Sequence, residues 1–154
     1  MTGALRAGAW VLAGAALLAL WLFPDAIARW RRARAGYFEM DPTCQLADGP
    51  CGVDLPDGGQ VRLAVEPTGA PAATPLSVRV TTEGAAVPEA IELSGLDMNM
   101  GFFRHALHPA PGRGVRTWTA TVVLPVCSRD RMAWRADVVL EDAVAGFVLW
   151  SETP

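Results

Sequence analysis

The alternation of hydrophobic and polar residues beyond position 60 predicts a domain built from β-strands. Val61, Leu63 and Val65 alternate with polar or small residues, and a period of two places every second side chain on the same face of a strand. Six further stretches show a similar pattern, with turn-forming residues between them. The predicted strands cover residues 61–66, 76–82, 90–95, 101–107, 115–124, 132–140 and 145–150. About seven short strands without a helical period favour an all-β fold, an immunoglobulin-like antiparallel β-sandwich.

A separate hydrophobic segment precedes this domain. Residues 7–23 contain no charged or strongly polar side chain, and as a helix they would reach about 25 Å, the lower limit of a bilayer span. We therefore expect residues 1–35 to form one hydrophobic helix that anchors the chain in a membrane. Two alternatives remain open. The small-x-small sequence at residues 26–28 fits cleavage of a signal peptide, and the segment also fits a buried helix of a soluble protein.

The turn-rich stretch at residues 36–59 is predicted to be an irregular lead-in to a sandwich domain at residues 60–154. Its glycines, prolines and aspartates favour turns over regular structure. Cys44 and Cys51 lie within it, and the intervening glycine and proline let the chain fold back, so that a disulfide is geometrically easy. A disulfide would indicate an oxidising compartment. Two reduced cysteines or a pair of metal ligands are the alternatives.

The charge distribution conflicts with that compartment. Four arginines follow the hydrophobic segment, against Arg6 before it, and the positive-inside rule then places the C-terminal domain in the cytoplasm. The disulfide argument points to the opposite side of the membrane. The sequence therefore predicts two incompatible topologies.

Composition and motifs argue against several classes of function. The chain has 13 basic residues, all arginine, and 16 acidic residues, for a formal net charge of −3. Most of the acidic excess lies beyond residue 40, which argues against nucleic-acid binding because that function needs a cationic surface. The sequence contains no C-x-x-C, G-x-S-x-G or H-E-x-x-H motif and no phosphate-binding glycine loop. We therefore predict that the protein is not an enzyme.

Sulfur-containing side chains are concentrated near two predicted turns. Met98 and Met100 follow the third predicted strand and, two positions apart, would point to the same side of an extended segment. Cys127 and Met132 bracket a later turn. Soft sulfur ligands select Cu(I) over hard cations such as Mg²⁺, so these four residues are candidate copper ligands. The alternative is that the methionines fill gaps in an apolar core.

The two histidines are weaker candidates for metal ligands. His105 and His108 are three positions apart, which on a strand places them on opposite faces. We expect both to be solvated surface residues. His105 remains an additional candidate copper ligand, because it follows the methionine-containing loop.

Two strings carry a resemblance to a known family: GLDMNMG at residues 95–101 and LPVCSRDRMAW at residues 124–134. Together with a short N-terminal span and one small β-sandwich, they resemble the membrane-anchored periplasmic proteins of proteobacteria with FixH-like or YtkA-like domains. That group is associated with copper handling and with assembly of haem-copper oxidases. Over about residues 60–150, the resemblance implies an extracytoplasmic domain that holds or passes copper. The residues it touches are Met98, Met100, Cys127 and Met132.

Two functions from different classes follow from these observations. The first is a single-pass inner-membrane protein whose periplasmic domain binds Cu(I) through methionine and cysteine sulfur, for copper homeostasis or haem-copper oxidase assembly. Its expected partners are the copper ion, the membrane and oxidase assembly proteins. The second is a metal-free immunoglobulin-like module that docks a membrane complex through an edge strand. A thiol-dependent redox protein is a third possibility.

Overall fold

The structure is a computed structural model that describes residues 35–84, 86–111 and 116–152. The predicted N-terminal helix, and with it the expected membrane anchor, lies outside the described residues. Within the described ranges there are ten β-strands and no helix, and therefore no helix that could span a bilayer. The strands are β1 (Gly36–Glu39), β2 (Cys51–Asp54), β3 (Gln60–Glu66), β4 (Pro75–Glu83), β5 (Pro88–Gly95), β6 (Phe102–Ala106), β7 (His108–Pro109), β8 (Arg116–Val123), β9 (Arg131–Leu140) and β10 (Ala143–Glu152).

The strands form two five-stranded sheets, and the predicted all-β class is confirmed. The first sheet has the order β1-β10-β9-β5-β6, and the second has the order β2-β3-β4-β8-β7. All neighbouring strands are antiparallel except β1 and β10, which pair in parallel. The seven strands predicted from the sequence are all present, with ends that differ by two residues or fewer.

The lead-in was predicted to be irregular, but it contains two short strands. It contributes β1 to the edge of the first sheet and β2 to the edge of the second. Both strands have four residues, which is too short for a period of two to be recognised among glycines and prolines. Their pairing also depends on distant partners, since Gly36 lies beside Ala143 in the register of β1 and β10.

One hydrophobic core joins the inner faces of the two sheets. Alternate residues of β3 are buried, as predicted, and the second sheet contributes mainly valine and leucine. In the first sheet, Trp134 is fully buried, and its indole Nε1–H donates a hydrogen bond of 2.9 Å to Ser151 Oγ. Because a buried indole N–H without a partner would be costly, this bond lets a large aromatic side chain occupy the core.

Candidate metal centre

The predicted disulfide is present in the lead-in. Cys44 and Cys51 are bonded, with their Cα atoms 5.9 Å apart. Cys51 is buried in β2, whereas Cys44 lies in the loop between β1 and β2. The bond thus ties the loop that follows the edge strand of the first sheet to the edge strand of the second. Cys127 is the remaining cysteine, and it is free and buried.

The loop between β5 and β6, residues 96–101, carries two candidate ligands, and we call it the methionine loop. It is fastened to the beginning of β9 by a pair of hydrogen bonds at Ala133. The Leu96 N–H donates to the Ala133 carbonyl over 3.0 Å, and the Ala133 N–H donates to the Asp97 carboxylate over 2.9 Å. Because Ala133 follows Met132 directly, the methionine loop is held beside one of the other candidate ligands.

A second local contact shapes the end of the methionine loop. The Gly101 N–H donates a hydrogen bond of 3.0 Å to the Asn99 side-chain oxygen, a turn for which asparagine is well suited. Gly101 has a φ of +87°, a conformation that favours glycine. With this shape, Met98 and Met100 are partly buried and pack against the hydrophobic core. They are therefore neither free surface residues nor fully enclosed ones.

Two predicted ligands meet directly, and we call them the sulfur pair. Cys127 Sγ lies 3.2 Å from Met98 Sδ, although the residues are 29 positions apart. The geometry allows the thiol to donate a weak hydrogen bond to the thioether. The side chain of Cys127 is 9% exposed, whereas Met98 is only partly buried. Met98 thus lies between a buried thiol and the surface.

Met132 lies on the core side of the methionine loop, beside the backbone of Met98. It lies on the inner face of β9 and is 1% exposed. A Cβ atom placed at Gly95 would collide with both the Met132 methyl carbon and the Met98 carbonyl oxygen. The end of the Met132 side chain and the backbone of Met98 therefore meet over Gly95, which has no side chain to separate them. No local sequence pattern indicates this role of Gly95.

The histidines lie apart from the sulfur pair. His105 is on β6, where it pairs with Ile91 of β5. Ile91 is four residues from Gly95, a distance of about 13 Å along an extended strand. His108 is exposed on β7 and belongs to the second sheet. The fold therefore brings neither histidine to the sulfur pair.

The donor set at this site consists of sulfur atoms. Among the described residues, no three histidine, cysteine, aspartate or glutamate side chains gather into a group that could hold a metal ion. A metal bound here would depend on Cys127 and on methionine thioethers, which suit Cu(I). At a typical metal–sulfur distance of about 2.3 Å, two ligands in a trigonal arrangement lie about 4.0 Å apart. The sulfur pair would have to widen by about 0.8 Å, a movement within reach of the flexible methionine side chain.

A cluster of polar side chains lies on the outer face of the first sheet, and the sequence did not predict it. The Tyr37 hydroxyl donates to Asp137 over 2.8 Å and accepts a hydrogen bond of 2.8 Å from Arg135 Nε. The Arg135 guanidinium also lies 4.4 Å from the centre of the Tyr37 ring. Partial burial and then the hydrogen bond to Asp137 raise the pKa of Tyr37 to about 12. The phenol is therefore neutral at physiological pH and serves as a structural donor.

Beside this cluster is a cavity of about 580 Å³, which we call the outer groove. Its floor is the outer face of β10, and its walls are formed by β9 and by the loop that follows β1. The side chains that line it include Tyr37, Met40, Leu96, Arg131, Arg135 and Trp150. Because Leu96 belongs to the methionine loop, that loop forms part of the lining of the outer groove.

Comparisons of this chain with models of protein families, with curated proteins and with solved structures gave no significant match. The resemblance to FixH-like and YtkA-like proteins therefore stays a prediction.

Proposed function

We propose that this protein is a membrane-tethered periplasmic copper-binding protein that holds Cu(I) by methionine and cysteine sulfur. The sulfur pair is the observation that carries the proposal, because two soft donors from separate loops lie 3.2 Å apart. Met98 and Cys127 are the principal ligands, and Met132 is the third sulfur on the core side. Copper homeostasis or haem-copper oxidase assembly is the role that the family resemblance implies.

The chemistry of the donor set favours Cu(I) over other ions. One thiolate and one or two neutral thioethers supply soft sulfur without a carboxylate. Zinc sites more often combine several cysteines, histidines or carboxylates, and such a group is absent from the described residues. Binding would release the thiol proton, because the thiolate is the ligand. The function is therefore one of binding, and we propose no catalytic step.

The disulfide supports an oxidising compartment. Such bonds persist mainly outside the cytoplasm, and the Cys44–Cys51 bond fits a periplasmic domain. Cys127 is buried, and burial would protect its thiol from oxidation there. On this proposal, the cysteines have different roles: two staple the lead-in and one binds the metal.

Features of the fold beyond its two-sheet class support the proposal that the domain is immunoglobulin-like. Two mostly antiparallel sheets share one core, and the first strand pairs in parallel with the last. The methionine loop leads into β6, and the segment that carries Cys127 leads into β9. Both strands belong to the first sheet. Function would then reside in connecting loops that a rigid scaffold holds in place.

The test is an anaerobic Cu(I) titration of the full chain in lipid nanodiscs, in competition with a chromogenic Cu(I) chelator. Met98→Leu and Cys127→Ser remove one sulfur each with little change in volume. Met40→Leu is the matched control, because Met40 lies in the lead-in, where its sulfur accepts a hydrogen bond from the Val148 N–H. We expect one bound Cu(I) in the wild type and the control, and about tenfold or weaker affinity in each site variant.

The proposal is wrong if the wild-type chain competes for Cu(I) no better than the Met98→Leu and Cys127→Ser double variant. In that case the metal-free interaction module becomes the better interpretation. Equal weakening by Met40→Leu would also contradict the assigned site, because it would mean that thioethers bind copper without regard to position.

A further inference from the structure

The loop between β3 and β4, residues 67–74, ends beside the chain that carries the thiol of the sulfur pair, and we call it the alanine loop. Pro75, which follows this loop and opens β4, lies beside Val123, the last residue of β8. Residues 124–130 then connect β8 to β9 and include Cys127. We call this connection the cysteine segment, and its beginning is adjacent to the end of the alanine loop.

Two consecutive N–H groups of the alanine loop bond to different parts of the domain. The Ala73 N–H donates to the Leu124 carbonyl over 2.8 Å, and the Ala72 N–H donates to the Glu152 carbonyl over 2.9 Å. Leu124 is the first residue of the cysteine segment and is fully buried. Glu152 lies beside Arg131, the first residue of β9, in the sheet register. The alanine loop is therefore tied directly to one end of the cysteine segment and, through β10, to the strand at its other end.

The backbone of the alanine loop has an unfavourable conformation at Ala73. Its φ is +57°, in the left-handed region that residues other than glycine seldom adopt. Ala70, with a φ of +39°, is the other non-glycine residue with a positive φ in the described part of the chain. The Ala73 side chain is exposed, so packing of its methyl group does not explain the conformation. Such a backbone persists where surrounding contacts impose it, and here the hydrogen bond to Leu124 is one of them.

The position of the cysteine segment depends on anchors of this kind. Residues 124–130 belong to no strand, so they lack the ladder of hydrogen bonds that fixes a sheet. Cys127 is three residues beyond Leu124, at most about 10 Å along the chain. A shift of the Leu124 backbone would therefore move the thiol, which lies 3.2 Å from Met98 Sδ.

We propose that Ala73 is a positioning residue of the copper site, because its left-handed backbone holds the N–H against the Leu124 carbonyl while the chain turns into β4. This inference rests on the proposed function, since it identifies the backbone that keeps Cys127 within reach of the ion held by Met98. Ala73 acts through Leu124 and is not itself a ligand.

The test compares three substitutions at position 73 in the full chain in lipid nanodiscs. Valine is branched at Cβ and strongly disfavours a positive φ, asparagine is of similar size but tolerates it, and glycine adopts it freely. Because the side chain is exposed, the three variants differ mainly in backbone preference. The two readouts are anaerobic Cu(I) competition and the rate at which iodoacetamide alkylates Cys127 in the native protein.

We expect Ala73→Val to weaken Cu(I) binding about fivefold and to speed alkylation by a similar factor, the usual effect of losing one neutral hydrogen bond. Ala73→Asn and Ala73→Gly should keep both values near those of the wild type. The order of the variants then follows left-handed preference and not side-chain size.

Gly58→Val is the matched control for a general loss of stability. Gly58 has a φ of +82°, and no atom lies within 4 Å of a Cβ added there, so valine would be strained only by its backbone. The residue lies in the turn between β2 and β3, at the opposite end of β3 from the alanine loop, about 20 Å away along the strand. Gly58→Val should lower the melting temperature and leave Cu(I) affinity and the alkylation rate unchanged.

Three outcomes would overturn the positioning role. The first is an Ala73→Val variant that binds Cu(I) and reacts with iodoacetamide as the wild type does. The second is an equal effect of Ala73→Asn, which would assign the loss to side-chain size, and the third is an equal effect of Gly58→Val, which would assign it to global stability. If the wild type binds no Cu(I), the proposed function fails, but the alkylation rates still decide whether Ala73 positions Cys127.

Discussion

Asp97 offers the sharpest test of how the sulfur pair is held together. Its carboxylate accepts a hydrogen bond of 2.9 Å from the Ala133 N–H, and Ala133 is itself buried. Asp97→Ala removes that acceptor and leaves the backbone bond from Leu96 as the remaining tie at Ala133. We therefore expect the methionine loop to open more often and to uncover the Cys127 thiol.

The magnitude follows from the charge-assisted character of this bond. A hydrogen bond to a charged group contributes about 1.5–3 kcal/mol, and the lower value applies because Asp97 itself is exposed. A loss of about 1.4 kcal/mol changes an equilibrium constant tenfold. The open fraction of the methionine loop should thus rise about tenfold in Asp97→Ala. Asp97→Asn, which keeps an uncharged acceptor, should show a smaller increase.

The assay is the rate at which iodoacetamide alkylates Cys127 under native conditions. Only one thiol reacts, because the other two cysteines form the disulfide. When opening and closing are fast, the rate is proportional to the population of the open state. Asp41→Ala is the matched control, since Asp41 accepts a comparable backbone hydrogen bond of 2.8 Å from Thr43, but in the lead-in.

Two results would refute this reasoning. If Asp97→Ala is alkylated at the wild-type rate, the bond to Ala133 does not control access to the thiol. If Asp41→Ala accelerates alkylation as much, the effect is a general loss of stability. Denaturant unfolding of each variant separates local opening from global unfolding, because a local change leaves the midpoint nearly unchanged.

Three other predictions follow from the described contacts. Tyr37 is the single tyrosine of the chain, so phenolate absorbance near 295 nm should titrate at a pKa of about 12 in the folded protein. Asp137→Asn should lower the pKa of Tyr37, because it removes a negative charge and weakens a hydrogen bond, whereas burial, the largest cause of the raised value, remains. Because the folded-state pKa is the higher one, the stability linked to Tyr37 is present below about pH 10 and is lost as the pH rises toward 12, which circular dichroism can follow. Gly95→Ala should destabilise the domain by about 1–3 kcal/mol and speed Cys127 alkylation, since the new methyl group collides with the Met98 carbonyl; an unchanged denaturation midpoint would contradict this packing. Reduction of the disulfide should cost about 2 kcal/mol for a loop with a sequence separation of 7, and equal midpoints before and after reduction would contradict the role of the disulfide as a staple.

The fold was predictable from sequence where a strand is long enough to show its period. In β3 and β9, the residues that face the core are hydrophobic. The residue types along each strand therefore indicate which face is buried. The edge strands β1 and β2 were not predictable in the same way. Each has four residues, and β1 forms because β10, far along the chain, offers hydrogen-bonding groups at its edge. No local pattern encodes that pairing.

The same distinction between local and non-local information applies to the residues of the candidate site. Met98 and Cys127 could be selected from sequence because their sulfur chemistry is a property of the residue itself. Asp97 and Gly95 could not, because each acts through a partner that the fold supplies. The acceptor role of Asp97 exists only when the Ala133 N–H, 36 positions away, is brought beside it. Residue type therefore predicts which atoms could bind a metal, whereas the groups that hold those atoms together become visible only once the strands have paired.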